Sequence, residues 1–189
     1  ARVVRPAQQV IIGTAQGMSI RFDVDEVRPT GRDTMGVKGI ELREGDLVVG
    51  VDVIENAEEQ QVLTVSVNGY GKRTSVSEWR VQGRGGLGII AMDMSERNGQ
   101  LVRLCLVRPD DHLMCITDAG VVIRTRCSEI REVGRNTQGV RVIRLDDGGR
   151  VVDVEPLARE DDEVPEDGSD GSAPDTEAAD QGSSDDTPT

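Results

Sequence analysis

The sequence predicts an all-β protein, a propeller-like array of about three four-stranded units, and three observations carry that prediction. The first is a repeat. Aligned on turn glycines Gly17, Gly69 and Gly120, the chain shows an acid nine positions on (Glu26, Glu78, Glu129). A Gly-Arg pair follows (Gly31-Arg32, Gly83-Arg84, Gly134-Arg135), and then a closing glycine (Gly36, Gly88, Gly139). Self-similarity at a fixed period marks stacked structural units. The second is composition: Phe22, Tyr70 and Trp79 are the only aromatics in 189 residues. The core must then come from Val, Ile and Leu, which suit half-buried pleated strands. The third is turn chemistry between short apolar runs, with no convincing amphipathic helix.

Within the third unit, His112 to Thr117 reads as a strand, Asp118-Ala119-Gly120 as a tight turn and Val121 to Thr125 as the return strand. Glycine supplies the positive φ that such a turn needs. The run GRNTQG at 134–139 is a glycine-bracketed loop. Val140 to Leu145 is a third strand, 146–149 a second turn and Arg150 to Leu157 a fourth strand. The second unit follows this plan with turns at Asn68-Gly69 and Asn98-Gly99, and the first with Gln16-Gly17 and Glu44-Gly45. The units run over about 8–58, 59–110 and 111–158. A four-stranded unit cannot bury both faces alone, so each needs neighbours. The Arg-rich start at Ala1 is already strand-like, so the chain reads as a fragment of a longer array.

Charge divides the chain in two. The formal net charge is −13, but 12 of the 35 acids and only one of the 22 bases lie in residues 159–189. Residues 1–158 form a nearly neutral body. The remainder, rich in acids, Gly, Ser and Pro, cannot bury enough apolar surface to offset its ordering entropy and is expected to be disordered.

Several functions are disfavoured. Cys105, Cys115 and Cys127 form no CxxC pair and His112 is the single histidine, too few ligands for a zinc site. The thiols read as buried strand residues in a reducing compartment. No apolar run is long enough to span a membrane. No Ser/His/Asp or Cys/His set is present, so no catalytic residue is assigned. GRGGLG at 83–88 lacks the helix that a nucleotide loop requires. Tyr70 sits in a turn, and Trp79 reads as a packing residue.

Phosphate binding fits better. Arg21, Arg73 and Arg124 each fall four residues after the turn glycine, with Lys72 and Arg126 beside that row, while Arg32, Arg84 and Arg135 open the glycine-rich loops. Such loops can shape an anion-binding nest. Repeated on successive units, these rows suit contact with a duplex backbone and its deformation rather than base reading. The competing assignment pairs each loop arginine with its own unit's acid, such as Arg32 with Glu26. A neutral body also leaves open a propeller-like scaffold for protein partners.

The runs NGYGKRT at 68–74, ITDAGVVIRT at 116–125 and GRNTQGV at 134–140, followed by an acidic tail, resemble the C-terminal domain of the DNA gyrase A subunit over residues 8–158. The resemblance implies a β-pinwheel whose blades exchange a strand with their neighbours. It usually has six blades, of which these would be the last three. It also implies bending and wrapping of duplex DNA in a bacterial cytoplasmic heterotetramer of two A and two B subunits. That enzyme supercoils DNA with ATP and Mg2+ held by other domains and the B subunit. No catalysis and no cofactor are implied for this chain. The family's box QRRGGKG is matched by QGRGGLG at 82–88, with Gln82, Arg84, Gly85, Gly86 and Gly88 kept and Gly83 and Leu87 in place of basic residues. This is a weakened echo of the box. The related domain of topoisomerase IV is the other relative the motifs admit.

Overall fold

A computed structural model describes residues 1–158. The tail at 159–189, expected to be disordered, lies outside the described residues. The first unit contributes β1 (Gln9–Thr14), β2 (Met18–Asp23) and β3 (Val48–Ile54). The second contributes β4 (Gln61–Ser66), β5 (Tyr70–Ser75), β6 (Ile89–Ile90) and β7 (Leu101–Val107). The third contributes β8 (His112–Thr117), β9 (Val122–Arg126), β10 (Val140–Arg141) and β11 (Val151–Leu157). One-turn 3-10 helices follow β2, β5 and β9 at Val24–Glu26, Val76–Glu78 and Cys127–Glu129. There is no α-helix among the described residues.

Each unit opens with the same hairpin, in the same register. Ile11 lies opposite Arg21, Leu63 opposite Arg73 and Met114 opposite Arg124. The turn is built from two repeated residues. Gly17, Gly69 and Gly120 take φ of +80°, +77° and +76°, a region closed to most side chains. Three positions before each, a hydroxyl (Thr14, Ser66, Thr117) accepts the N–H of the first return residue at 3.2, 3.3 and 3.1 Å. Local hydroxyl acceptors of this kind favour turns over continued ladder.

The units are joined by strand exchange. Sheet one runs β3-β1-β2-β6 and sheet two β10-β5-β4-β7, so the outer strand of each comes from the following unit. The third sheet is β11-β8-β9, with no swapped strand on β9 among the described residues. The third strand read at 140–145 is thus a two-residue strand in the neighbouring sheet. Past Arg141, the N–H groups of Val142 and Ile143 both turn to the Gly69 carbonyl at the hairpin tip, at 2.9 and 3.1 Å. Those bonds end the ladder.

β7 packs against β3 on one side and β11 on the other. Close approach there depends on missing side chains: a Cβ on Gly50 would meet the Leu104 carbonyl oxygen at 1.9 Å. One apolar core spans units two and three through Leu63, Val65, Cys105, Leu113, Cys115, Ile130 and Val154. Another spans units one and two through Ile11, Val62, Val76, Trp79 and Leu104. Trp79 is 1% exposed, and its indole N–H donates to Ser19 Oγ of the first unit at 2.7 Å.

Candidate nucleic-acid interface

Most of the arginines expected to face a ligand instead tie one unit to the next. The Arg21 guanidinium donates to the carbonyls of Val76 and Trp79, at 3.0 and 2.9 Å, and to Gln9 Oε1. Arg73 repeats this one unit on, donating to Ile130 O at 2.8 Å, Ser128 O at 3.4 Å and Gln61 Oε1. The preceding unit's arginine thus adds donors to the carbonyls of each of these short helices and its C-cap, where Val76 O also accepts the Trp79 N–H at 3.0 Å. Burial lowers the pKa of Arg21, opposed by Asp23.

The structure corrects two residues in particular. Lys72 and Arg73 are buried, at 0% and 7% exposure, and cannot reach a phosphate from there. Lys72 sits on β5 beneath the incoming 134–137 loop and donates to Gly134 O at 2.8 Å, Thr137 Oγ1 at 3.2 Å and the Arg135 carbonyl. Burial pushes its pKa down from 10.5 to about 8. Its place on β5, the strand that receives β10, puts its side chain under the swapped segment, which the spacing of basic residues does not reveal.

Two of the repeat acids act across units, while the third, Glu129, accepts from Thr125 Oγ1 of its own unit at 3.1 Å. Glu26 accepts the backbone N–H of Arg84 at 2.9 Å, and Glu78 that of Arg135 at 2.7 Å. The Arg84 side chain donates to Glu26 O and Lys38 O, both at 3.0 Å, and that of Arg135 to Ile90 O. Within the box-like loop, the Gly85 N–H goes to Gly39 O at 2.6 Å and the Gly86 carbonyl accepts from Glu41 N at 2.9 Å. Gln82 donates its backbone N–H to Arg21 O at 3.0 Å. Gly88 takes a φ of +72°, where a Cβ would meet the Ser19 carbonyl oxygen at 2.1 Å. The loop is therefore latched to the first unit, with the Arg84 and Gly85 N–H groups committed to it. Arg32, Arg124 and Arg126 are exposed; Arg124 donates to His112 Nδ1 at 2.8 Å.

A third arginine row does face solvent, and sequence reasoning missed it. Arg28, Arg80 and Arg131 each stand eleven residues after the turn glycine, two past the repeat acid. All three are exposed. The residue before each of the last two, Trp79 or Ile130, is buried, so the arginine is turned outward. Among the described residues the ion pairs are Arg2–Asp52 at 3.3 Å, Arg103–Glu155 at 2.9 Å and Arg108–Glu59 at 4.0 Å. None uses this row. The same glycine alignment contained the signal. On the swapped strands, Arg141 occupies the position of Ile90, and the exposed Lys38 is its counterpart in the first unit.

The remaining chemistry is sparse. The three cysteines are free and buried, and burial pushes their thiol pKa values up to about 12 for Cys105 and Cys115 and about 11 for Cys127. Thiols held protonated are poor nucleophiles and ligands. Among the described residues no group of three or more His, Cys, Asp or Glu is placed to hold a metal. GRGGLG leads into the two-residue strand β6 rather than the helix of a nucleotide-binding loop. No helix among the described residues is long and apolar enough to cross a membrane.

Comparison with known proteins agrees with the fold. The family described as "DNA gyrase C-terminal domain, beta-propeller" matches residues 8–55, 60–104 and 111–158. The DNA gyrase A subunit of Staphylococcus epidermidis is 47% identical over 161 residues, covering 85% of this chain and 18% of that protein. Its counterpart in Deinococcus deserti is 44% identical over 162 residues, covering 84% and 20%. The chain thus spans about a fifth of the length of these curated relatives. A solved DNA gyrase A C-terminal domain superposes with a TM-score of 0.75 at 31% identity, covering 82% of this chain and 52% of that one. The C-terminal domain of DNA topoisomerase IV superposes at 0.74 and 22% identity, covering 79% and 46%, a likeness of fold.

Proposed function

The chain belongs to the family of DNA gyrase C-terminal β-propeller domains, and from that premise we propose that its blades bind and bend duplex DNA through the phosphate backbone. The observation that carries this reading is the solvent-facing row Arg28, Arg80 and Arg131, one per unit and free of acid partners among the described residues. Successive units offer one cation each at an equivalent place, which suits contact at intervals along a curved duplex. Phosphate contacts fix position without reading sequence. Smooth bending of a short site costs about 1–6 kcal/mol, which several such contacts can offset. The staples and latches between units keep the row in register while the duplex pulls on it.

The reading extends to the longer protein. The module would present wrapped DNA to a bacterial cytoplasmic enzyme of two A and two B subunits that introduces negative supercoils, with ATP and Mg2+ bound elsewhere. The experiment is a binding titration with unrelated duplexes across a salt series. Affinity falls with salt by about 0.9 log unit per log unit for each phosphate neutralised. The Arg28→Gln, Arg80→Gln, Arg131→Gln triple variant is expected to lower that slope by about 2.7 on every sequence alike. A flat salt response, or strong preference for one sequence, overturns the reading. An unchanged slope in the triple variant removes the row from it.

A further inference from the structure

One cationic cluster stands outside the repeated rows. Tyr70 opens β5 just past the Asn68-Gly69 turn and lies opposite Arg141 of the swapped strand β10. Its ring is buried, at 7% exposure. The Arg97 guanidinium carbon lies 4.6 Å from the ring centroid and that of Arg141 5.6 Å. Arg141 also donates to the Tyr70 hydroxyl at 3.1 Å. Both separations are within the reach of cation–π attraction.

The cluster is held in place from two units. Arg97 sits on the turn before β7. The Asn68 side-chain amide donates to the carbonyls of Glu96 and Arg97, at 3.3 and 3.1 Å. Buried Asn98 accepts from Ser95 N at 2.7 Å and donates to Asp93 O at 2.8 Å and Gln138 O at 3.3 Å. Arg141 comes from the third unit. Two exposed guanidiniums of different units therefore meet on one ring, and neither has a carboxylate within ion-pair distance among the described residues. Residues 1–158 carry slightly more acids than bases, so the lack of a partner is not a shortage of carboxylates. The other units hold Met18 and Val121 in place of Tyr70, while Arg43, ahead of the Glu44-Gly45 turn, matches Arg97 ahead of Asn98-Gly99. The ring on which the two cations meet is thus particular to the second unit. A ring face attracts each cation but leaves their mutual repulsion uncancelled. A shared anion would cancel it, and planar guanidinium forks match phosphate oxygens.

We propose that Tyr70, Arg97 and Arg141 form a phosphate clamp on the second blade that grips one phosphodiester segment of the bound duplex. This rests on the DNA-binding reading above and assigns that surface a fixed point. A phosphate oxygen would take the Arg141 N–H groups from the phenol. Tyr70 then loses the hydrogen bonds, from Arg141 first and Arg97 second, that lower its pKa.

Tyr70 is the single tyrosine of the chain, so tyrosine labelled with 13C at Cζ gives one resonance from this site. The experiment follows that resonance during titration with a short duplex and, separately, with inorganic phosphate. It is joined to duplex affinities of Arg97→Gln, Arg141→Gln and Tyr70→Leu, with emission from buried Trp79 as the check of folding. The expected result is a shift on duplex binding. Each arginine variant should bind about fivefold more weakly at low salt, with a salt slope lower by about 0.9. Arg97→Gln should also cost less in the Tyr70→Leu background, since the two act together. Folded variants that bind as wild type, with an unmoved resonance, overturn the clamp and leave the DNA reading standing. Saturation by inorganic phosphate at the concentration that gives half-binding of duplex phosphate overturns the duplex as the ligand. A wild-type chain that binds no duplex overturns both.

Discussion

Raising the pH from 7 to 9 is expected to stabilise the wild-type chain relative to its Lys72→Met variant by about 1.4 kcal/mol. Lys72 is fully buried, and its pKa is pushed down from 10.5 to about 8, by burial first, with Glu78 opposing and Arg135 assisting. Between those two values the unfolded chain holds a proton that the folded chain has released. Unfolding then takes up a proton, so stability rises with pH across that window. The whole window corresponds to about 3 kcal/mol, and the part below pH 9 to a little under half of it. Methionine fills a similar volume without titrating, and every other group cancels in the comparison. Urea unfolding of both proteins at pH 7, 8 and 9 reads the difference. The same titration should loosen the loop above Lys72: a neutral amine has two N–H groups for the three acceptors at Gly134, Arg135 and Thr137. Amide exchange at 134–137 should quicken accordingly in the wild type alone. Parallel stability curves would refute the reasoning and return Lys72 to the solvent.

The buried thiols act in the opposite sense. Their folded pKa values of about 11 to 12 stand above the ordinary 9.0, so the unfolded chain loses those protons first and stability falls as pH rises past 9. By pH 10 the three together should cost about 4 kcal/mol, read as a lower urea midpoint and abolished in a triple Cys→Ala variant measured against its own value at pH 8. Glu78→Ala removes the acceptor of the 2.7 Å bond from Arg135 N and should cost about 1 kcal/mol, with faster amide exchange at Arg135. Gly50→Ala places a Cβ 1.9 Å from the Leu104 carbonyl oxygen and should cost about 3 kcal/mol by forcing β3 from β7. Gly120→Ala, in open space but at a φ of +76°, should cost about 1–2 kcal/mol. A larger loss at Gly120 than at Gly50 in urea unfolding would count against the packing argument.

The fold was more legible than the surface, and the reason is physical. Turn glycines, hydroxyls and apolar alternation act within a few residues, so β8 at His112–Thr117 is bounded as its sequence suggests. Strand exchange is non-local: nothing in GVR at 139–141 states that it pairs with Tyr70 and Gly71 rather than with its own unit. Side-chain direction at the exchange depends on that pairing, and so does every judgement about which arginine is free. Arg73 and Arg80 are alike in sequence terms, both repeated at one offset from the turn glycine. One is buried under the incoming segment and the other stands just outside it. The acid's partner was equally hidden, since Glu26 meets Arg84, 58 residues away, instead of Arg32.

This division of labour bears on how a nearly neutral body can hold a polyanion. Arg21, Lys72, Arg73, Arg84 and Arg135 direct their cationic ends mainly at backbone carbonyls of a neighbouring unit. Glu26 and Glu78 direct theirs at backbone N–H groups. Bonds between a full charge and a peptide dipole are stronger than neutral ones and need no opposite charge, so they join units without pairing acid to base. Net charge therefore says little about the surface field. What matters is which charges remain outside the joints, and Arg28, Arg80, Arg131, Arg97 and Arg141 are all exposed. Loss of a joint and loss of a contact should then separate cleanly by experiment. The first lowers stability with an unchanged salt slope among molecules that stay folded, and the second lowers the slope with stability kept within about 0.5 kcal/mol.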